Sequence, residues 1–423
     1  MNAQNQITLT SAEEQLLASF GRSFGSLPGD ASVTTMRDKL AGEIKKAGLP
    51  TRRVEAWHYT DLRNLLKAVP EEAGEAVNPI AALFADTSLL PLIQGKASAS
   101  LSVDGVTVST FAEALGGGDG GELISVSRGD DAIGRINGAM VADGYVINID
   151  AGTELQRPLE LQAAHSGGQV HARHAISFGD GTSGTFVERH VAPTDAAALV
   201  SNVTSLTFGK DAEVTYVIMQ DQGASDSHLG KLKISLSENA KLKLLIVNTG
   251  GKLVRHEIEC EVEGEGADLM LRGVNLLGGD THTDITFNLG HNVANTTSTE
   301  TIRNVVFDKA RGVFQGLIRV APDAQKVDAK MACNTLLMTD HGSFSSKPEL
   351  EIFADDVQCG HGATVTDIDP NHLYYMMARG IPRKVASGLL INAFAAEVVE
   401  ELEDEQLTEA VESVITEWLD RHD

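Results

Sequence analysis

Beyond about Ser98 the pattern changes from helical to short runs that alternate apolar and polar residues, each closed by turn-forming residues. Leu232-Lys233-Ile234-Ser235-Leu236 has a period of two, the signature of a strand with one face turned inward. The same reading assigns strands to 213–220, 231–236, 241–248, 254–262, 267–277, 282–289, 297–307, 312–320, 327–338 and 349–357. Breaks such as Gly250-Gly251, Gly264-Glu265-Gly266 and Gly278-Gly279-Asp280 separate them. Five starts, at Ala267, His282, Thr297, Gly312 and Val327, recur at intervals of about 15 residues, which predicts a stack of repeats. The alternation predicts a coiled sheet with a solvated outer face, and a β-sandwich or jelly roll fits the same periodicity.

The two ends read differently. Residues 1–10 are expected to be disordered. Ser11 and Glu14 have capping-box spacing before a helical run to Phe24, and a second helix covers 33–47, closed by Gly48 and Pro50. The stretch 51–67 reads as an anchor whose Trp57 packs under the next domain, and the Ala-, Pro- and Glu-rich 70–97 as a linker. After the last strand, Asp369-Pro370 starts one helix (370–379), Pro382 a second (382–402), and a third covers 404–419. Val385, Leu389 and Ala393 beside Ala386, Leu390 and Phe394 make a stripe wide enough for both core and partner. The division is an N-terminal helical domain and linker (1–97), a strand core (98–366) and a C-terminal helical domain (367–423).

Composition narrows the chemistry. A net charge of −25 opposes binding to nucleic acid or anionic membrane. No leader-like start and no long apolar run point to a cytoplasmic protein. The three cysteines, Cys260, Cys333 and Cys359, fit a reducing compartment and fall short of the four thiolates that hold an iron–sulfur cluster in one chain. Cys260 and Cys333 are expected to be buried as small apolar residues. No GxxxxGK[ST] loop, GxSxG elbow, HExxH helix or CxxC pair occurs, and the GGGDGG run at 116–121 reads as a flexible turn. Histidines 171, 174, 256, 282, 291, 341, 361 and 372 are scattered over the strand region and its edge, and 280–284 (DTHTD) is expected to be a solvated polar face.

One place combines two soft-metal donors. Cys359 and His361 are two apart on an extended stretch, so their side chains share a face, and Gly360 and Gly362 leave the backbone uncrowded.

The run KPELEIFADDVQCGHGATVTDID (347–369), with ARGI and LLINAF after it, resembles the C-terminal signature of the SufB/SufD family of the SufBCD iron–sulfur cluster assembly complex. GLPTRRVEAWHYTDLRNLL (48–66) resembles the amino-terminal signature of its SufD-type members. Thr366 stands where the family often has Gly, and Tyr374-Tyr375-Met376-Met377 replaces a more usual Phe-Tyr-Leu run; neither touches an expected ligand. The resemblance implies a mainly β fold, a right-handed parallel β-helix flanked by N-terminal and C-terminal helical domains. It implies a non-catalytic scaffold that pairs with SufB and docks the ATPase SufC. A transient iron–sulfur cluster is shared with SufB through His361, with Cys359 beside it. The SufC contact falls on Arg379, Gly380, Ile381, Leu390 and Phe394. For the isolated chain the resemblance leaves open a homodimer in place of the heterodimer. Flavin accompanies the family's complex, and no dinucleotide fingerprint here locates it. The alternatives are SufB itself, which is longer and richer in cysteine, and a parallel β-helix carbohydrate-active enzyme. The absence of a signal peptide and 5% aromatic residues weigh against the latter.

Overall fold

Aliphatic and β-branched runs too short to bury themselves singly stack here as parallel rungs of a β-solenoid. The computed structural model describes residues 7–71, 77–98, 101–126 and 128–422. The chain opens with helices α1 (Ser11–Ser23) and α2 (Ala31–Ala47), a 3₁₀ turn (Glu55–Trp57) and the single turn α3 (Leu62–Leu65). Strands β1 (Ser88–Ile93), β2 (Lys96–Ala97) and β3 (Val106–Thr110) lead to α4 (Phe111–Leu115), α5 (Gly120–Leu123) and α6 (Ala132–Met140). Then come β4 (Tyr145–Ile149), β5 (Leu159–Ala164), β6 (Gly168–Phe178), β7 (Ser183–Val191), β8 (Ala198–Phe208) and β9 (Glu213–Asp221). They are followed by β10 (Ser227–Leu236), β11 (Lys241–Asn248), β12 (Leu253–Val262), β13 (Asp268–Leu277) and β14 (His282–His291). The last strands are β15 (Thr297–Val306), β16 (Arg311–Val320), β17 (Asp328–Leu337), β18 (Ser343–Ile352) and β19 (Gln358–Thr366). Helices α7 (Pro370–Ala378), α8 (Arg383–Glu400) and α9 (Glu405–His422) end the chain.

Odd strands from β5 to β19, with β1 and β2, form one sheet; even strands from β4 to β18, with β3, form the other. All pairings are parallel except β1–β2 and β3–β4. Stacked inner residues keep the rungs in register: Phe178 lies flat on Phe208 at 4.8 Å and Phe186 on Tyr216 at 5.2 Å. An asparagine ladder does the same on another inner file. The Asn248 amide donates to Asn275 and that of Asn275 to Asn304, each at 2.7 Å, across sequence separations of 27 and 29 residues. Two of the expected 15-residue spacings thus make one full coil. Cys260 and Cys333 are buried in this interior, as expected.

The outer faces depart from the expected solvated wall. Val187, Val217, Leu245, Val274 and Val305 pack outward against Ile391, Ala395, Val398 and Trp418 of α8 and α9. On the other sheet, Leu199, Val203, Leu229 and Leu253 pack against Leu16, Ile44, Trp57, Ile133 and Ile136. Both faces of the central strands are therefore apolar, which is why β11 reads KLKLLIVN with no clean alternation.

Other expectations are corrected. Strands begin at Ser88, inside the expected linker and before residue 98; residues 72–76 of that linker lie outside the described residues. Strands such as β6 escaped the pattern because buried His171, Arg173 and His174 break their apolar alternation. Of the N-terminal stretch expected to be disordered, residues 1–6 lie outside the described residues, and Thr10 is the N-cap of α1. The capping box is Thr10 with Glu13, not Ser11 with Glu14, and Glu13 also accepts from the Leu49 amide at 2.7 Å. Gly120 and Gly121 start α5, packed so tightly that a Cβ at Gly120 would lie 2.4 Å from the Leu115 carbonyl. The strand read at 349–357 is β18, which stops at Ile352, and Asp355 and Asp356 sit in a bend.

The segment 280–284 is not a solvated face. Asp284 is fully buried and binds the Arg255 guanidinium, which stacks over Trp57 at 4.0 Å and donates to the Ala56 carbonyl at 2.7 Å. The Thr60 hydroxyl also donates to Asp284 and lies 2.9 Å from His282 Nε2. Trp57 is thus the buried anchor the sequence predicts, and its partner is an ion pair.

Removing one side of a buried pair strands the other charge. Asp284→Ala is expected to destabilise the chain by about 3 kcal/mol, read as a lower urea midpoint at constant slope. A second expectation concerns pH. Burial holds His165, His171, His174 and His291 down to about 4 and His256 to about 3. Between pH 6.5 and 4 the unfolded chain takes up protons there that the folded chain refuses, so stability falls with pH. Burial raises Asp226 to about 6 and Glu300 to about 8, which acts in the opposite sense but through fewer groups. Thermal melts should show a lower Tm at pH 5 than at pH 7.

Candidate functional site

β19 is the edge of its sheet, with β17 on one side and no strand on the other. Its register sets Cys359 beside Ala329, His361 beside Met331 and Ala363 beside Cys333. Ala329, Met331 and Cys333 face the interior and are buried, so by alternation Cys359, His361, Ala363 and Val365 continue the same inward file. One rung earlier that file is sealed. At β19 it is open: His361 is exposed, Val365 is 47% exposed, and Cys359 is half-buried against the core. β18 ends the same way, with Ile352 on the inner file opposite Val320 and exposed.

The sequence expectation that Cys359 and His361 share a face therefore agrees with the strand geometry. A Cβ added at Gly360 or Gly362 would meet nothing, so neither glycine answers a packing demand within this chain. Burial pushes the Cys359 thiol up, countered in part by a backbone hydrogen bond at Ala329. Binding of a metal at Cys359 must therefore release a proton. Burial pushes the Cys260 thiol up further and Cys333 to about 12. Among the described residues, no cluster of three or more His, Cys, Asp or Glu has metal-binding geometry. His171, His174, His256 and His291 are buried in hydrogen bonds to Ser201, Tyr145, Asn248 and Thr296, and His256 also packs against the His228 ring at 5.2 Å.

Beyond the open end, α7 buries no residue: Tyr374 is 74% and Tyr375 60% exposed. Arg379 and Gly380 are exposed at the corner to α8, with Arg379 donating to the Tyr375 hydroxyl at 3.1 Å. Ile381 and Leu390 are half-buried, and Phe394 packs toward the sheet beneath Arg303 at 4.8 Å. The bare side of α8 is carried by Val385 and Leu389, each 51% exposed. Sequence reasoning passed over α7 and Phe353 as surface features. The available signal was four consecutive large residues, 374–377, in a short helix with no polar face.

Iodoacetamide on the native chain is expected to label Cys359 alone, slowly because its thiol is protonated, with Cys260 and Cys333 reacting only after denaturant. Peptide mass spectrometry reads the order of labelling; early modification of Cys333 would contradict the sealed interior.

The profile of the SUF system FeS cluster assembly SufBD core domain matches residues 161–394, from within β5 to Phe394 in α8. Iron-sulfur cluster assembly protein SufD of Escherichia coli (strain K12) is 29% identical over 87% of this chain and 89% of its own length. An iron-sulfur cluster assembly SufBD family protein of Synechocystis is 26% identical over 93% and 92%, and the chloroplastic protein ABCI7 of Arabidopsis thaliana 26% over 68% and 62%. With over half its length matched, the chain belongs to the SufBD family of the SUF iron–sulfur cluster assembly system.

Proposed function

We propose that this chain is a non-catalytic scaffold subunit of the SufBCD complex, on which a nascent iron–sulfur cluster is assembled as cargo. The observation that carries the reading is the open rung. A thiol and an imidazole stand on one inward file, at the only place along it where that file meets solvent among the described residues. Two donors cannot hold a cluster that usually takes four ligands. A second chain, SufB, capping the open end would bury Ile352, Val365 and Phe353 and supply the missing thiolates. His361, exposed and flanked by open glycines, is the direct ligand in this reading, and Cys359 the auxiliary.

SufC, which would bring the ATP hydrolysis, docks at the α7–α8 corner through Arg379, Gly380 and Ile381, with Leu390 and Phe394 along α8. What supports this is the bare apolar surface there, with Val385 and Leu389 extending the contact. Deleting α7–α9 would also strip the wall packed on Val217, Leu245 and Val274, so substitutions test docking more cleanly.

Co-expression with SufB and SufC followed by pull-down tests the scaffold reading. His361→Ala should leave the ternary complex intact and lower its iron and sulfide by about tenfold or more, since a ligand's loss costs at least what a supporting residue's does. Cys359→Ala should do less harm. A normal cluster yield from His361→Ala would refute the ligand role. Val385→Asp with Leu389→Asp should abolish SufC capture while SufB is retained.

A further inference from the structure

The interior of the middle coils carries a line of polar side chains with one glycine in it. Asn202 on β8, Gly230 on β10 and His256 on β12 are register partners, and Gly230 faces inward, two positions before the core residue Leu232. Two imidazole nitrogens converge above it. A Cβ at Gly230 would lie 2.8 Å from His256 Nδ1 and 3.0 Å from His228 Nε2. Gly230 and these two histidines line a cavity of about 10 Å³, with Glu188, Thr204 and Ile218 in its wall. A space of that size holds one particle as large as a water molecule.

Hydrogen bonds on the far side of His256 fix what the cavity presents. The Asn304 amide nitrogen donates to the Asn334 carbonyl at 3.3 Å, which sets the orientation of its side chain. Asn275 then donates to the Asn304 oxygen and Asn248 to the Asn275 oxygen, so the Asn248 oxygen faces His256 Nε2 at 2.9 Å. His256 therefore carries its proton on Nε2, and Nδ1 is a lone pair. Burial keeps the His228 and His256 rings neutral. An occupant must be small, must donate to His256 Nδ1 and must meet His228 Nε2 in whichever tautomer that ring adopts. A cation has no free carboxylate to pair with, because Glu188 is already engaged by His190, Asn202, Thr204 and Tyr216. Nor is a metal geometry completed there by a third His, Cys, Asp or Glu among the described residues. Water both donates and accepts, and it fits the volume.

We propose that one structural water molecule occupies this cavity, donating to His256 Nδ1 and bridging to His228 Nε2. The water ties together two halves of the buried polar line. On one side His228 lies against the His190 ring at 4.7 Å, and His190 bonds Glu188. On the other side His256 holds the asparagine ladder, which ends on Cys333, whose Sγ accepts from Asn304 at 3.4 Å one rung before the open file. The glycine at 230 follows from this, since any side chain there takes the water's place. The site lies inside the solenoid and stands independently of the cluster reading.

A crystal structure of the full chain that resolves ordered waters tests it. One density peak about 2.7–3.2 Å from both nitrogens is expected. The proposal is overturned by the lack of a peak there, or by a peak about 2.0–2.1 Å from either nitrogen with anomalous scattering, as a bound metal gives. Urea unfolding of two variants reads the same hydrogen bond. Gly230→Ala and Gly230→Ser crowd the two rings equally, and only the serine hydroxyl can donate to His256 Nδ1 in the water's stead. The folded-to-unfolded ratio of the serine variant should exceed that of the alanine variant by about tenfold. An alanine variant as stable as the serine variant would contradict the bridging role, and where neither variant folds the wild-type density decides alone.

Discussion

A stack of parallel strands has no means of satisfying its own last rung. Every inner rung of this solenoid gives its backbone groups and its inward side chains to the rung on each side, whereas β19 has a neighbour on one side only. At the other end the chain solves the problem by folding β2 and β3 back antiparallel. At the β18–β19 end nothing in the described chain does so. An inward file that is sealed at Met331 becomes a surface at His361, and side chains that would be core become contact groups. The chemistry of the site follows from that position. The same Cys-x-His spacing one rung earlier would have produced two more buried side chains, like Cys333 at the centre of the interior.

The sequence showed the end elements more clearly than the beginning of the core. A period of two, turn residues and a 15-residue spacing disclosed the later coils, because their inner files are almost wholly apolar. The coils up to β8 were hidden because their inner files carry Glu188, His190, Asn202 and Thr204, satisfied by one another rather than by water. Alternation cannot distinguish such a buried polar network from a solvated face, and the same ambiguity misplaced 280–284. Cys359 and His361 were legible as a pair because spacing of two needs only an extended backbone. Their exposure was not, since it depends on where the stack stops. Trp57 was legible as an anchor, but not that a guanidinium 198 positions later is what it rests on.

Helices wall the two sheets unequally, and that inequality shapes what is left bare. α8 and α9 cover the odd-stranded sheet mainly through apolar contacts, aliphatic side chains and Trp418, with charged pairs such as Arg272–Glu401 and Arg303–Glu397 at the rim. The N-terminal elements cover the even-stranded sheet with buried ions as well. Lys231 Nζ lies 2.8 Å from Asp131 at the start of α6 and 3.0 Å from both Glu257 and Glu259. Apolar contact supplies area but little register, since an aliphatic face can slide. A buried cation with three carboxylates tolerates no displacement, because any shift leaves a desolvated charge unpaired.

The anchoring segment uses this register to reach the open end. Its attachments descend the outer sheet one strand at a time. Arg255 on β12 holds Trp57 and the Ala56 carbonyl, Asp284 on β14 holds Thr60, Gln315 on β16 donates to Ala56, and Lys347 on β18 pairs with Glu55 at 2.5 Å. Gln315 and Lys347 are themselves register partners. β18 loses inner support at the unsealed end, and the outer contact from Glu55 compensates by tying the last even strand to a segment pinned on three earlier rungs. The open edge is thereby held in place by the chain's own contacts. This places the amino-terminal signature of the family, which touches neither Cys359 nor His361, in a direct mechanical line with the rung that carries them.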